Sequence, residues 1–166
     1  MPRRTVLTLQ LGTRRVYFAG CTAHPTAEWV TQQARQLSWT LKEEQRPMRF
    51  LIRDRDTKFT AAFDRVFASE GIEIVRTPYR TPQANGFAER WIRSAREECL
   101  DRLLVLGEQH LRRVMTEYID YYNRARPHQG FEQRCPIPIT RQPREGPVKR
   151  RDVLGGIIHD YHRDAA

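Results

Sequence analysis

The chain has 166 residues, with 29 Lys or Arg against 20 Asp or Glu, so its formal net charge is +9 and its pI is near 10.1. This length allows one domain with a hydrophobic core and a tail, and it excludes two domains of ordinary size. The basic balance favours a polyanion as partner, although charge alone does not exclude a basic protein that binds no nucleic acid. The three cysteines are widely spaced, which excludes a paired-cysteine zinc motif. No apolar run approaches the ~20 residues that span a bilayer. We therefore expect a cytoplasmic protein with no membrane contact.

The N-terminal part of the chain is predicted to form a β-hairpin followed by a helix. Residues 5–20 alternate weakly in polarity around a turn at 11–13, which indicates the hairpin. Thr26 is a plausible N-cap, and apolar residues then recur at spacings of four, three and four. This helix is expected to end before Pro47.

The next elements predict an α/β fold. The apolar run 48–52 indicates a strand, and Phe residues at helical spacing over 59–67 indicate a helix that Gly71 ends in a left-handed conformation. Residues 72–76 form a second apolar run. The resulting order of strand, helix, strand and helix is typical of an α/β layer with a mixed or parallel sheet.

A turn-rich loop leads into a helix predicted over 86–104. Glu89, Arg93 and Arg96 lie at i, i+4 and i+7 of this helix and share one side. An acid and two arginines on one stripe suit a metal and a phosphate, whereas an ordinary Glu-to-Arg helix pair is worth only a few tenths of a kcal/mol. The residues that can turn inward are Phe87, Trp91, Ala95 and Cys99.

The C-terminal part is predicted to hold one packing helix and a tail. A wide apolar stripe over 108–123 indicates the helix, and His128 has no metal-spaced neighbour, so a structural role is favoured. Prolines between 136 and 143 mark a linker, and a basic run follows that could touch a DNA backbone. Residues 154–161 indicate one short strand.

Two segments around the acids carry a family resemblance. Residues 53–59 read RDRDTKF, and residues 81–91 read TPQANGFAERW. In this order they resemble the second half of the catalytic core of bacterial insertion-sequence transposases and retroviral integrases, the DDE family with an RNase H-like fold. The resemblance continues through 121–123 and 126–128 and covers roughly residues 12–140. Several spaced motifs in the right order are more specific than any single one.

The resemblance implies a function in DNA integration, that is, transposition and recombination. Asp54, followed five residues later by an aromatic residue, and Glu89 would be catalytic acids and ligands of Mg²⁺ or Mn²⁺, in a metal-dependent phosphodiester strand transfer. The partner would be DNA, bound by a homo-oligomer in a bacterial-type cytosol and associated with the nucleoid. The DNA-binding residues implied are Arg80, Asn85, Arg93 and Arg96.

The first of the family's three acids has no counterpart in this sequence. Residues 1–27 contain no Asp or Glu, and the turn at 12–15 matches the hairpin between the family's second and third strands. We therefore expect an incomplete RNase H-like α/β domain that lacks its first strand, with the integrase catalytic core over 1–138 and a basic C-terminal tail over 139–166. Asp56 lies two residues from Asp54, but it is expected to be an exposed loop acid.

Three interpretations follow from this pattern. In the first, the chain is an integrase core descended from a strand-transfer enzyme and is weak or inactive as written, so enzymatic activity stays open. The alternative is a catalytically inactive, DNA-binding remnant of a transposase, in which phosphate contacts persist without chemistry. The third is an unrelated basic interaction domain.

Overall fold

The computed structural model describes residues 4–78, 86–138 and 145–163. No helix in these ranges is long and apolar enough to cross a membrane. In chain order the elements are β1 (Arg4–Leu9), β2 (Val16–Thr22), α1 (Ala27–Glu43), β3 (Phe50–Arg53), α2 (Ala61–Ala68), β4 (Glu73–Arg76), α3 (Gly86–Glu98), a 3-10 turn (Leu100–Arg102), α4 (Glu108–Arg124), a 3-10 turn (Gln129–Phe131), β5 (Val148–Val153), a 3-10 turn (Leu154–Gly156) and β6 (Ile158–Arg163).

The chain divides into two compact units. Unit 1 comprises Met1–Leu7 and Ala19–Gly86, and unit 2 comprises Thr8–Phe18 and Phe87–Ala166. In the part of the chain that the structure describes, the strands pair as three two-stranded sheets, β1 with β2, β3 with β4 and β5 with β6. Neither unit is continuous in sequence, because the β1–β2 segment contributes to both.

The first two strands form the predicted hairpin. The N–H of Gln10 donates to the carbonyl of Arg15 at 2.8 Å across the turn, and Arg14 adopts a positive φ of 61° there. In β2, a Cβ on Gly20 would lie 2.6 Å from Gln33 Oε1 and 3.1 Å from the ring of Trp29. Glycine at this position therefore lets helix α1 approach the strand closely.

Helix α1 begins and ends where the sequence predicts. The Thr26 hydroxyl accepts the N–H of Trp29 at 3.2 Å, which satisfies one of the free donors of the first turn. The helix ends at Glu43, before Pro47. The face that the apolar spacing predicts is buried, and its residues are Val30, Ala34, Leu37 and Leu41.

Strands β3 and β4 form a parallel pair, with Arg53 opposite Arg76. Helix α2 connects them and buries Phe63 and Phe67, whose ring centroids lie 5.3 Å apart. Gly71 follows the helix at a φ of 76°, the left-handed conformation expected of it. The predicted strand–helix–strand order and its parallel pairing are confirmed.

Helices α3 and α4 pack through aromatic rings. The Trp91 ring centroid lies 6.4 Å from that of Tyr118 and 6.2 Å from that of Tyr122, tilted to the first and nearly perpendicular to the second. Ala95 and Cys99 are buried, as predicted. Burial raises the pKa of the Cys99 thiol to about 12, so this cysteine is a protonated core residue.

Two details of the α3 prediction are wrong. The helix expected over 86–104 ends at Glu98, because Cys99 leaves the helical region at φ −132° and the chain continues as a 3-10 turn. Phe87, predicted to turn inward, is 40% exposed. Its ring lies under the guanidinium of Arg14, 3.7 Å from the centroid, in a cation–π contact.

Asn123 ties the end of α4 to β2. Its side-chain Oδ1 accepts the N–H of Val16 at 2.9 Å, and its Nδ2 donates to the carbonyl of Val16 at 2.8 Å. The amide thus pairs with both backbone groups of one strand residue, as a neighbouring strand would do. Both residues are buried.

The C-terminal residues form a hairpin, where the sequence predicts one short strand over 154–161. Strands β5 and β6 are antiparallel, with Val153 opposite Ile158, and the predicted strand covers the turn and only part of β6. The sequence of β5, VKRRDV, does not predict a strand, because it is mostly charged and only Val153 is buried. The N–H of Leu154 donates to Glu117 Oε1 of α4 at 2.6 Å, which holds the hairpin turn against that helix.

Candidate metal and nucleic-acid site

Asp54 is the first residue after β3, and its side chain is exposed. Its Oδ1 accepts the N–H of Asp56 at 3.0 Å, which is the turn that short acidic side chains form with their own backbone. Its carbonyl accepts a hydrogen bond from Arg53 Nη1 at 2.9 Å. Asp54 therefore presents a carboxylate at the carboxyl end of a parallel strand, where α/β proteins commonly bind ligands.

The end of β3 is locked to helix α2 by an ion pair. Arg53 Nε and Nη2 donate to the two carboxylate oxygens of Asp64 at 2.7 and 2.6 Å, and Arg53 is only 8% exposed. Arg76 of β4 donates to the same carboxylate at 3.1 Å. The hydrogen bond from Arg53 lowers the pKa of Asp64, and the contact with Arg76 adds to the effect. Asp54 thus follows a fixed strand end.

Asp56 shapes the loop after the strand. Its Oδ1 accepts the backbone N–H of Lys58 at 3.0 Å, and the Lys58 ammonium lies 2.8 and 2.7 Å from its two oxygens. Its carbonyl accepts the N–H of Phe59. Asp56 is a loop acid, as predicted, and its carboxylate is already paired with a cation. It is half-buried, however, and not exposed as the sequence predicts.

Helix α3 presents the predicted polar stripe. Glu89 lies in its first turn, and Glu89, Arg93 and Arg96 are all exposed, on a helix whose opposite face is buried at Trp91 and Ala95. Arg96 Nε lies 3.6 Å from Asp101 Oδ1, with both side chains more than half exposed, so this pair is weak. The stripe is held in place by the packing of the helix and remains open to solvent.

Part of the predicted site lies outside the described residues. Arg80 and Asn85 fall in the gap at 79–85, so their predicted role in DNA binding stays a prediction. Asp54 belongs to unit 1 and Glu89 to unit 2, and their predicted joint role as metal ligands also stays a prediction.

The candidate site offers carboxylate oxygens to a divalent metal ion. Exposed carboxylates such as those of Asp54 and Glu89 are the hard ligands that Mg²⁺ and Mn²⁺ prefer. Within residues 4–78, 86–138 and 145–163, however, no three or more His, Cys, Asp or Glu side chains come together in a group that could hold a metal. The described residues therefore do not form a complete two-metal site.

The turn after α4 has a structural role. Arg126 binds Glu98, with Nη2 to Oε1 at 2.6 Å, and the His128 ring lies edge-on to the Tyr122 ring at 4.6 Å. His128 Nε2 is also 3.3 Å from the Tyr122 carbonyl, and burial lowers the pKa of this histidine. These contacts agree with the structural role that the sequence favours for His128, and they show that the Arg-Pro-His turn fastens α3 and α4 together.

Comparisons with known proteins identify the fold. Residues 70–136 match the model of the family described as integrase core domain. No curated protein matches the sequence. Among solved structures, the catalytic core domain of BIV integrase is similar, with a TM-score of 0.55 and 17% sequence identity over 81% of this chain and 89% of that one. The expected resemblance to an integrase or transposase catalytic core and the RNase H-like α/β fold are confirmed.

Proposed function

We propose that this chain, which has the fold of an integrase catalytic core, acts in DNA integration by binding DNA and by contributing two carboxylates to a metal site for phosphodiester strand transfer, a site that is incomplete in this chain alone. The observation that carries the proposal is the exposed stripe of Glu89, Arg93 and Arg96 on the packed helix α3. This stripe lies inside the segment that matches the integrase core family. A solvated stripe on a helix with one buried face is suited to contact a large polar ligand.

Each residue of the proposed site has a role that follows from its chemistry. Asp54 and Glu89 are the proposed metal ligands, because carboxylate oxygens bind hard divalent cations. Divalent ions, when bound, neutralise charge on the attacking and leaving oxygens of a phosphodiester. Arg93 and Arg96 are proposed to contact backbone phosphates, which fixes the position of the DNA without reading its sequence.

Two carboxylates are few ligands for this chemistry. A site of Asp54 and Glu89 should hold one ion weakly and should not align two ions before attack, and alignment supplies much of the rate in such reactions. We therefore propose little or no DNA cleavage or strand transfer by this chain alone.

We also propose that the chain works as a homo-oligomer on DNA in the cytoplasm, and mass photometry with and without duplex DNA would test that assembly.

The metal proposal is tested by titrating Mn²⁺ into the protein and following free Mn²⁺ by electron paramagnetic resonance. The Asp54→Asn and Glu89→Gln variants should each weaken the binding of one ion by about tenfold or more. Asp120→Asn is the matched control, since Asp120 is an exposed acid of α4 that pairs with Arg124. Binding should be the same in this variant as in the unchanged chain.

The outcomes separate the assignments. If the unchanged chain and the Asp54→Asn, Glu89→Gln and Asp120→Asn variants all bind Mn²⁺ equally, Asp54 and Glu89 are not metal ligands. If Asp56→Asn weakens Mn²⁺ binding instead, the metal site lies in the loop after β3. A labelled-DNA assay completes the test. Robust Mg²⁺-dependent cleavage by the 166-residue chain, abolished by Asp54→Asn, would contradict the proposed weak activity, whereas DNA binding without cleavage agrees with it.

A further inference from the structure

A second basic site lies beside Asp54, in unit 1. The structure has an open pocket of about 230 Å³ there, lined by residues of β3, β4 and the segment after β3. Arg53 is buried, Asp56 and Phe59 are half-buried, and the other lining residues are exposed. The lining residues are Arg53, Arg55, Asp56, Thr57, Phe59 and Arg76.

The pocket carries an excess of positive charge. Arg53 and Arg76 are opposite each other on neighbouring strands and share the single carboxylate of Asp64. Asp56, the acid that lines the pocket, is paired with Lys58. Three arginines with Lys58 against Asp54, Asp56 and Asp64 leave a formal charge of about +1 in this neighbourhood, which favours an anion.

The arginines differ in how many donors they have left. Arg53 already uses three of its five N–H donors, since its Nε and Nη2 bind Asp64 and its Nη1 binds the Asp54 carbonyl, and it is buried. Arg55 uses only Nε in the described part of the chain, donating to the Thr77 carbonyl at 3.0 Å. That bond holds the guanidinium in place while its terminal nitrogens keep their donors. Arg76, whose side chain is 56% exposed, uses one terminal nitrogen on Asp64.

We propose that this pocket binds a phosphodiester group of the DNA backbone, through Arg55 and Arg76 with the Thr57 hydroxyl as a further donor. Arginine guanidinium groups match the geometry of phosphate oxygens and keep their charge at any physiological pH. Arg55 directly follows Asp54 in the sequence, so the proposed phosphate contact and the proposed metal ligand belong to the same segment after β3. The inference rests on the proposed function and adds a DNA contact in unit 1 that is separate from the α3 stripe.

The test measures duplex DNA binding by the full chain at several salt concentrations, using fluorescence anisotropy. Loss of one phosphate contact lowers the slope of log affinity against log salt by about 0.9 for duplex DNA. Arg55→Gln should produce this loss. The matched control is Arg35→Gln, an exposed arginine on α1 in the same unit, which should leave the slope unchanged. Arg55 does not contact Asp64, so its replacement leaves the Arg53–Asp64 lock intact.

A second variant and a second probe complete the design. Arg76→Gln should lower the slope by a similar amount, and its melting temperature reports any loosening around Asp64.

Inorganic phosphate, followed by ³¹P line broadening, tests whether the pocket binds the free ion. Phosphate binding that Arg55→Gln removes, without any change in the DNA slope, would overturn the assignment to DNA. Equal slopes for Arg55→Gln and Arg35→Gln would overturn the site itself, and failure of the unchanged chain to bind DNA would overturn the proposed function.

Discussion

Arg126 and Glu98 form a two-pronged ion pair that joins the turn after α4 to the end of α3. Arg126 Nη2 lies 2.6 Å from Glu98 Oε1, and Arg126 Nε lies 3.0 Å from Oε2. The Tyr118 hydroxyl donates to the same Oε2 at 2.9 Å, and burial raises the pKa of this phenol, so the donor stays protonated. Three elements of unit 2 therefore depend on one carboxylate.

Glu98→Gln should lower the free energy of unfolding by about 1.5–3 kcal/mol, the range for a hydrogen bond to a charged group. The glutamine fills the same space but leaves the half-buried Arg126 without its counter-charge. Urea denaturation measures the effect. Glu97→Gln, on an exposed neighbour of the same helix, is the control and should change stability by less than about 0.5 kcal/mol. Equal effects of the two changes would contradict the role of the pair.

Asp64→Asn should flatten the loss of stability in acid. Arg53 holds the pKa of Asp64 below its usual range, so between about pH 4 and this lower pKa the native state binds fewer protons than the unfolded state. The stabilising contribution is therefore present above about pH 4 and is lost as the pH falls through the native pKa. Urea midpoints measured from neutral pH to about pH 3 test this. Asp120→Asn, in an exposed pair, should retain the acid dependence of the unchanged chain.

Replacing Arg93 and Arg96 together with glutamine should weaken DNA binding and lower the slope of log affinity against log salt by about two. The reason is that each arginine is proposed to release the counterions of one phosphate, at about 0.9 per contact. The control is the double change Arg112→Gln and Arg113→Gln, which removes the same charge from an exposed part of α4. If both double variants lower the slope by the same amount, DNA binding depends only on net charge, and Arg93 and Arg96 are not specific phosphate contacts.

Asn123→Ala should destabilise the chain by about 2–4 kcal/mol. It leaves the buried N–H and carbonyl of Val16 without partners, and each lost buried hydrogen bond costs about 1–3 kcal/mol. Arg124→Ala, which breaks an exposed ion pair at the next position, should cost less than about 1 kcal/mol. Hydrogen exchange at the Val16 amide gives a local readout, and unchanged protection there would show that another group holds this strand.

The helices could be predicted because each has one apolar face that is legible in the sequence. The face of α1 from Val30 to Leu41 is buried as its spacing indicates, since helical periodicity is a property of the local sequence. Asp54 was selected by the family resemblance, through the aromatic residue five positions later, and the structure places it directly after β3.

Other features depend on contacts between distant segments and could not be predicted from the sequence. Strand β5 is mostly charged and exposed, and it exists because β6 pairs with it and Glu117 holds its turn. The Arg53–Asp64–Arg76 cluster requires the register of β3 on β4, which no local pattern specifies. The basic pocket follows from that cluster, so the sequence, which predicted DNA contacts at Arg80, Asn85, Arg93 and Arg96, offered no reason to propose Arg55 and Arg76 as well.

The hydrogen bonds between Asn123 and Val16 also constrain the order in which parts of the chain can fold during translation. The two residues are 107 positions apart, so at ~5–20 residues per second the second is made roughly 5–20 s after the first. During that interval the backbone groups of Val16 lack the side chain that satisfies them in the native state. The segments of unit 1 around α1 and α2 are synthesised earlier and can fold first, whereas unit 2 can close only after α4 has been translated.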